Sequence, residues 1–385
     1  MSTPRTDHPF SLTRGGPFYH LLHSIRLVDR DGKIRWRLLV SIVWLPLVVD
    51  AIAQLAFARR LDFTLRDVPM HVRILVTLPL LVFAEHLLET RCQEAVRYVH
   101  EEGIVQCADL DAILDRTEHL RDSRLVEGAL AAGMLGSGQA SLWGLTSWSN
   151  LVHPLGDSMA MSFTNIWGIA IVIPLVRFML LRWFWRWLLW AYVLARLSRL
   201  PLSLNAIHPD QAAGLKILSD PIDAFALYVA ADASIAAVTW MVKVHEQRAT
   251  LETISAIFFA FVISAVVIAC SPLLVFFRDL YRARYRDATA YHALAREYVD
   301  EFRRTWITER ADASPVLGTS DIQSLNDLIG SYKAADSTRL FPFGVRDIIN
   351  VGVGALVPMV PLVFTVASVS KVATQLGKML FGRFI

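Results

Sequence analysis

Seven apolar stretches, each close to the length that a bilayer core demands, constrain this 385-residue chain more than any other feature. We expect all of them to be helices, because an open strand leaves its amides unpaired in lipid. The second is short, and Pro358 and Pro361 interrupt the last, which could instead form a re-entrant hairpin. The stretches are roughly Leu38–Phe57, Ile74–Leu88, Val126–Thr146, Phe163–Leu181, Ile222–Val242, Ile254–Phe277 and Ile348–Val369. The predicted fold is an all-α, polytopic transmembrane helix bundle with about seven spans and helical cytoplasmic segments.

The composition excludes an ordinary soluble protein. Hydrophobic residues make up 54% of the chain and charged residues only 19%, whereas soluble domains usually carry about 25% charged residues. A soluble core could not hide this much apolar surface, so the lipid bilayer is the expected partner. The net charge of +3 and the absence of a segment suited to base readout argue against nucleic acid. The first 35 residues hold no continuous apolar run, so no cleaved signal peptide is expected.

Basic residues indicate the orientation. With the N-terminus in the cytoplasm, the segments inside the cell hold 28 Lys and Arg and those outside hold 6, a strong positive-inside bias. Only the outer loop 58–73, with four arginines, resists this assignment. The chain then divides into a cytoplasmic N-terminal segment (1–37), helices 1–2 (38–90), a cytoplasmic helical segment (91–125), helices 3–4 (126–195), a cytoplasmic loop (196–220), helices 5–6 (221–277), a cytoplasmic helical segment (278–346), helix 7 or a hairpin (347–370) and a tail (371–385).

The larger cytoplasmic segments have predictable helices. Gly103 is expected to separate two short helices within 91–125. Residues 278–308 have the pattern of one helix that extends the sixth span, and a further helix is predicted around Asp321–Tyr332, capped by Ser320 or Asp321.

The third span carries small residues at a strict spacing of four. Such a face allows another backbone to approach closely. The neighbour could lie in the same chain, which we favour, or in another copy, so a homo-oligomer is left open. The residues are Gly128, Ala132, Gly136, Ala140 and Gly144.

Ionisable side chains inside the spans are the best pointers to function, because each costs about 2.5–3.5 kcal/mol near the bilayer centre on insertion scales. Asp232, near the middle of the fifth span, should carry the largest penalty, and Arg177 is its expected partner. The functional interpretation is an ion or proton path, and the alternative is a set of polar contacts that fix helix register. The candidates for this path are Asp232, Glu85, His86, Asp50, Arg177 and Asp223.

The fourth span ends in a run of tryptophans and arginines. Trp183, Trp187 and Trp190 fall on one stripe, with Arg182 and Arg186 pointing more to the opposite side. Tryptophan favours the headgroup level and arginine extends to phosphate, so the simplest prediction is an interfacial anchor. A gating or lipid-sensing role is the alternative.

The loop after this run places His208 close to Asp210 across a proline turn. An enzyme could use the pair for acid–base chemistry or to hold a divalent ion. Asp210 could equally be the N-cap of a helix that starts at Gln211, which is the interpretation we favour.

Three runs carry a resemblance to known proteins. HPDQAAGLKIL (208–218), LGTSDIQSLNDL (317–328) and FPFGVRD (341–347), with the proline-broken last span, resemble a family of uncharacterised multi-pass inner-membrane proteins of bacteria. In that family the first run often contains paired glycines at the positions where this chain has Ala213 and Gly214. The resemblance implies a bacterial inner-membrane location and no particular reaction.

The sequence is compatible with three functions. The first is a transporter or channel for ions or small solutes that uses intramembrane carboxylates. The second is a membrane scaffold or sensor that acts through its cytoplasmic helices, and the third is a membrane-embedded enzyme. Nucleotide and metal motifs such as the P-loop or HExxH do not occur, and no cofactor, metal or catalytic residue is assigned.

Overall fold

The computed structural model describes residues 10–29, 32–57, 68–142, 166–245, 251–308 and 320–361. Over these residues the chain is helical, and its only β-type pairing is one antiparallel bridge between Val28 and Ile34. The helices are α1 (Pro17–Ser24), α2 (Trp36–Phe57), α3 (Val68–Val72), α4 (Leu78–Glu101), α5 (Cys107–Arg121), α6 (Arg124–Leu142), α7 (Ile173–Leu197), α8 (Ile222–His245), α9 (Leu251–Cys270), α10 (Phe277–Arg303), α11 (Asp321–Asp336) and α12 (Val345–Leu356).

Four helical stretches within the described ranges are long and apolar enough to cross a membrane. They correspond to the first, second, fifth and sixth predicted spans, and they make the chain consistent with a membrane protein. The other three predicted spans run partly into residues 143–146, 163–165 and 362–369, which lie outside the described residues. The stretches are Trp36–Ala56, Val68–Glu101, Lys216–Val242 and Ser255–Thr308.

The second span is longer than predicted. A π-helical turn, Arg73–Thr77, joins α3 to α4 directly before Leu78 and Pro79, and this wider turn accommodates a proline that cannot donate to the preceding helical turn. The helix therefore continues from residue 68 to 101 without a stop. It ends just before Gly103, whose φ of +62° produces the predicted break before α5.

Helix α8 lies at the centre of the described bundle and packs against α4, α9 and α12. Helices α5 and α6 pack on α7 instead. The outward face of α2 is apolar and exposed at helical spacing, through Leu38, Ile42, Leu45, Val49, Ile52 and Leu55. A stripe of this kind would be unfavourable in water and is favourable against acyl chains.

The segment after the sixth span forms a helical hairpin. A 3-10 turn, Ser271–Phe276, carries α9 directly into α10, so the predicted extension of this span is present. α11 packs back along α10 and begins at Asp321, as the sequence predicts, but neither Ser320 nor Asp321 makes a side-chain cap. At the last span, α12 ends at Leu356, and a 3-10 turn around Pro358 follows.

Candidate functional site

A short N-terminal strap, residues 10–16, contacts helices α4 to α7 and is largely buried. Leu12 is fully buried, and Thr13 is 6% exposed. The backbone N–H groups of Leu12 and Thr13 each donate to Glu89 Oε2 at 2.9 Å, and Thr13 Oγ1 donates to the same oxygen at 3.1 Å. A carboxylate with three donors is well compensated for its loss of water, so Glu89 holds the strap in place.

Two arginines of α7 donate hydrogen bonds to backbone carbonyls of the strap. Arg182 and Arg186 are 1% and 0% exposed. Arg182 donates to Glu85 Oε1 at 2.5 Å and to the Thr13 carbonyl at 3.3 Å, and Arg186 donates to the Gly15 carbonyl at 3.1 Å. Buried guanidinium groups are tolerated only when carboxylates and carbonyls replace their hydration.

Glu127 of α6 completes this ionic cluster, which consists of Glu85, Glu89, Glu127, Arg182 and Arg186. Its Oε1 lies 3.7 Å from Arg182 Nε and 3.6 Å from Arg186 Nη2. Its Oε2 accepts a hydrogen bond of 2.8 Å from the N–H of Phe18, in the first turn of α1. An anion at a helix N-terminus is favourable, so Glu127 connects the start of α1 to the two arginines.

Two glycines allow the strap backbone to approach the charged side chains closely. Gly16 has a φ of +85°, and a Cβ there would overlap the Glu127 carboxylate. A Cβ on Gly15 would overlap the side chains of Arg121 and Asp122. The strap can therefore lie against the charged groups only because two successive residues lack a side chain.

Arg121, at the end of α5, also binds the strap. It donates to the Ser11 carbonyl and to both oxygens of Asp122, at 2.8 and 2.7 Å. Partial burial acts to raise the pKa of Asp122, but the two hydrogen bonds and the charge of Arg121 outweigh it and leave the pKa below its usual value.

The ionic cluster keeps unused hydrogen-bonding capacity. Arg182 Nε, Arg186 Nε, Arg186 Nη1 and Glu127 Oε1 have no hydrogen-bond partner within the described part of the chain. The long ion-pair distances to Glu127 provide charge compensation without directed hydrogen bonds. The arrangement is well suited to hold three helices (α4, α6 and α7) and the strap in one register, with some donors left unused.

The structure does not bring the predicted intramembrane residues together at one place. Only Glu85 joins the ionic cluster, and His86, one residue on, is exposed. Asp50 accepts a hydrogen bond from Gln54 within α2 at 2.9 Å. Asp223 accepts one from Asn350 at 2.9 Å, which links the start of α8 to α12.

Asp232 and Arg177 do not form the predicted ion pair. Asp232 is half-buried near the middle of α8, and among the described residues it makes no hydrogen bond and no ion pair. Arg177 of α7 is also half-buried and has no ion-pair partner in the same ranges. The prediction of a salt bridge between them is therefore wrong.

The interpretation of the tryptophan and arginine run as an interfacial anchor is also wrong. Trp183, Trp187 and Trp190 are at most 2% exposed. Trp183 stacks on Tyr228 with ring centroids 4.3 Å apart, and Trp187 packs on Phe225 at 4.8 Å, both on α8. The stripe is apolar because it fills the α7–α8 interface, and the arginines on the other side of α7 lie in the ionic cluster.

The small-residue face of α6 has no close neighbour at its two fully described positions, Gly128 and Ala132. A Cβ on Gly128 would meet nothing within 4 Å, and Ala132 is exposed. The favoured contact within the chain is therefore not present at these two positions. The surroundings of Gly136 and Ala140, and the whole of Gly144, lie outside the described residues.

The His208 loop forms a hydrogen-bonded chain of three side chains. His208 Nδ1 lies 2.8 Å from Asp210 Oδ1, and His208 Nε2 lies 3.2 Å from the hydroxyl of Tyr98. The Asp210 carboxylate also accepts backbone N–H groups of Ala212, Gly214 and Lys216 at 2.8 to 3.2 Å. Most of its lone pairs are therefore used to shape the loop, which disfavours a role in acid–base chemistry.

Asp210 caps a turn, although not the predicted helix. Gln211 and Ala213 have φ of +58° and +54°, so no helix begins at Gln211, and the next helical turn is the 3-10 segment Lys216–Ser219. Half-burial acts to raise the pKa of Asp210, but the three N–H donors and His208 more than offset it, so the pKa lies below its usual value.

The strap and its acceptor Glu89 were not predicted from the sequence. Glu85 and Glu89 are one helical turn apart on α4, so their shared face was a readable signal. Gly15 and Gly16 before Pro17 indicated a special backbone conformation. Neither signal reveals that the strap glycines and the acidic face of α4 lie at the same site.

The described residues contain no group of three His, Cys, Asp or Glu side chains placed to hold a metal ion. Comparison with known proteins finds no family model, no curated protein and no solved structure that matches this chain.

Proposed function

We propose that this chain is a transporter or channel for ions or small solutes in the inner membrane of a bacterium, with its N-terminus in the cytoplasm. The excess of Lys and Arg in alternate segments supports this orientation. In this orientation the strap and the ionic cluster lie on the cytoplasmic side of Asp232.

The observation behind this proposal is the isolation of Asp232. It lies in the middle of an apolar helix of membrane length and has no hydrogen bond or ion pair among the residues described. A carboxyl group in that position is stable only when it is protonated or when a cation replaces the missing partner. Exchange between these states is the elementary step of ion or proton movement through a bundle.

Two polar residues lie near Asp232 along α8. Tyr228 is one helical turn away on the same face, whereas Ser234, two residues on, lies on a different face of the helix. The Ser234 hydroxyl lies 2.8 Å from that of Thr77, in the π-helical turn that packs against α8. π-helical turns inside α-helices are frequent at functional sites, since they displace backbone carbonyls from regular pairing.

The Glu85–Arg182 pair supplies a barrier at the cytoplasmic end of this path. Both side chains are buried and oppositely charged, and they join α4 to α7 next to the strap. A path from Asp232 to the cytoplasm between these helices would require the pair to separate or hydrate. In this proposal the ionic cluster closes the bundle, and Asp232 carries the transported charge.

Flux in liposomes tests the proposal. Purified protein is reconstituted, and H⁺, Na⁺, K⁺ and Cl⁻ fluxes are measured for the wild type, for Asp232→Asn and for Asp300→Asn, a control on the exposed face of α10. We expect Asp232→Asn to abolish a flux that the control retains, with unchanged thermal unfolding in detergent. An unaltered flux in Asp232→Asn would make Asp232 a structural residue.

A sensor or scaffold is the second candidate, and it is favoured by a groove of about 480 Å³ between α10 and α11. Tyr281 and Tyr285, which line it, are 52% and 65% exposed, and Arg284 and His292 add polar groups. If this function is correct, a growth defect of a deletion strain should be rescued by Asp232→Asn and not by a Tyr285→Ala, His292→Ala double variant.

A further inference from the structure

A small pocket lined by basic side chains lies where the strap meets α4, next to the exposed apolar surface of α2. Its volume is about 130 Å³. Arg14 of the strap, Lys33 of the hairpin closed by the Val28–Ile34 bridge, and His86 of α4 line it, together with Tyr19 of α1. Three separate segments thus direct nitrogen-bearing side chains to one cavity.

The acidic residues of the pocket wall already have partners. Glu85 accepts from Arg182, and Glu89 accepts from Leu12 and Thr13. Arg14 forms a long ion pair of 3.8 Å with Glu89 that uses none of its hydrogen-bond donors, and Lys33 makes no ion pair with any described residue. The pocket therefore keeps the uncompensated positive charge of Lys33 and the unused donors of Arg14.

The pocket wall brings its donors close together. Gly32, with a φ of +74°, lies so near that a Cβ on it would be 3.0 Å from Arg14 Nε and 3.1 Å from the Tyr19 hydroxyl. The guanidinium and the hydroxyl are consequently on one side of the cavity. A phosphate group is the anion that best uses a guanidinium, an ammonium and a hydroxyl from different directions.

The other side of the pocket is apolar and opens towards the lipid-facing surface. Phe83 is 44% exposed and packs on Trp36, with ring centroids 5.5 Å apart. Trp36 begins α2, whose exposed stripe continues through Leu38 and Ile42. Aromatic rings beside basic groups are typical of the headgroup level of a bilayer.

From these observations we propose that the Arg14–Lys33–His86 pocket binds the phosphate of an anionic phospholipid from the cytoplasmic leaflet, with the acyl chains along Phe83 and Trp36. Free phosphate shares the headgroup chemistry but makes no use of the aromatic side. The proposal depends on the membrane orientation and is independent of whether the chain transports anything.

Native mass spectrometry of delipidated protein in detergent tests this site. Phosphatidylglycerol is titrated against the wild type, a Lys33→Gln, His86→Gln double variant, and Lys333→Gln, a control on the exposed side of α11. Loss of the Lys33 charge and of the His86 imidazole at the headgroup should weaken binding about tenfold in the double variant and leave the control unchanged. Both substituted side chains are exposed, so the fold is retained, and thermal unfolding of the delipidated proteins verifies this.

Two further titrations distinguish the ligand sources. Phosphatidylcholine, whose headgroup carries no net charge, should bind more weakly than phosphatidylglycerol, and inorganic phosphate should not displace the bound lipid. Equal binding of the two lipids, or wild-type affinity in the double variant, would overturn the proposal. Displacement by millimolar phosphate would overturn the lipid assignment and make the pocket a site for the free anion.

Discussion

Arg182 of α7 and Glu85 of α4 form a buried ion pair 2.5 Å long, between residues 97 positions apart in the sequence. Removal of Glu85 leaves the buried Arg182 with only the more distant Glu127 carboxylate to compensate its charge. We predict that Glu85→Ala lowers the free energy of unfolding by about 3–5 kcal/mol and that Glu85→Ala, Arg182→Met recovers part of this loss.

Denaturant unfolding in detergent measures both variants of the ion pair. The Arg97–Glu101 pair is a suitable control because its atoms are 3.9 Å apart and both side chains are mostly exposed. Glu101→Gln should change the stability by at most about 1 kcal/mol. A small effect of Glu85→Ala would show that water reaches the cluster and that the pair is not a barrier.

Two glycines of α12 should differ sharply in their tolerance of a methyl group. A Cβ on Gly354 would overlap the carbonyl oxygen of Ala226 on α8, whereas a Cβ on Gly352 would meet nothing within 4 Å. We expect Gly354→Ala to separate α8 from α12 and to lower the melting temperature in detergent clearly. Gly352→Ala should be neutral or stabilising by about 0.5–1 kcal/mol, because alanine is the better helix former. Equal effects would mean that the two helices pack in another register.

The strap glycine Gly16 has a matched partner in Gly103. Both have positive φ, at +85° and +62°, so alanine strains the backbone at either position, by about 1–2 kcal/mol. Only at Gly16 would the methyl group also overlap the Glu127 carboxylate; at Gly103 it meets no atom within 4 Å. Gly16→Ala should therefore release the strap.

Limited proteolysis provides the measurement for these two variants. Cleavage after Arg14 should become faster in Gly16→Ala and stay at the wild-type rate in Gly103→Ala. Equal cleavage rates in the two variants would show that backbone strain alone, without the contact to Glu127, governs the strap.

The loop at Asp210 should make stability depend on pH at acid values. Its pKa lies below the ordinary value of 3.8, so the ionised carboxylate stabilises the fold at pH values above 3.8, and this contribution is lost as the pH falls through the lower folded-state pKa. Asp210→Ala should cost about 1–3 kcal/mol at pH 7, since three backbone N–H groups lose their acceptor. The difference in melting temperature between wild type and variant should shrink at acid pH.

A control for the Asp210 measurement is Asp300→Asn, on the exposed face of α10. It should show no pH-dependent difference from the wild type. A difference between Asp210→Ala and wild type that stays constant from pH 7 to pH 3 would mean that the carboxyl group acts without its charge.

The sequence by itself determined the helical class, the four long apolar helices, the break at Gly103 and the extension of the sixth span into α10. These features depend on the local composition of the chain and on its preference for lipid, which a window of about 20 residues contains. The tertiary structure alone decided what the apolar and charged faces contact. The stripe of Trp183 and Trp187 is equally compatible with lipid and with a neighbouring helix, because both are apolar. Arg186 finds the Gly15 carbonyl 171 residues away, and no local pattern encodes such a contact.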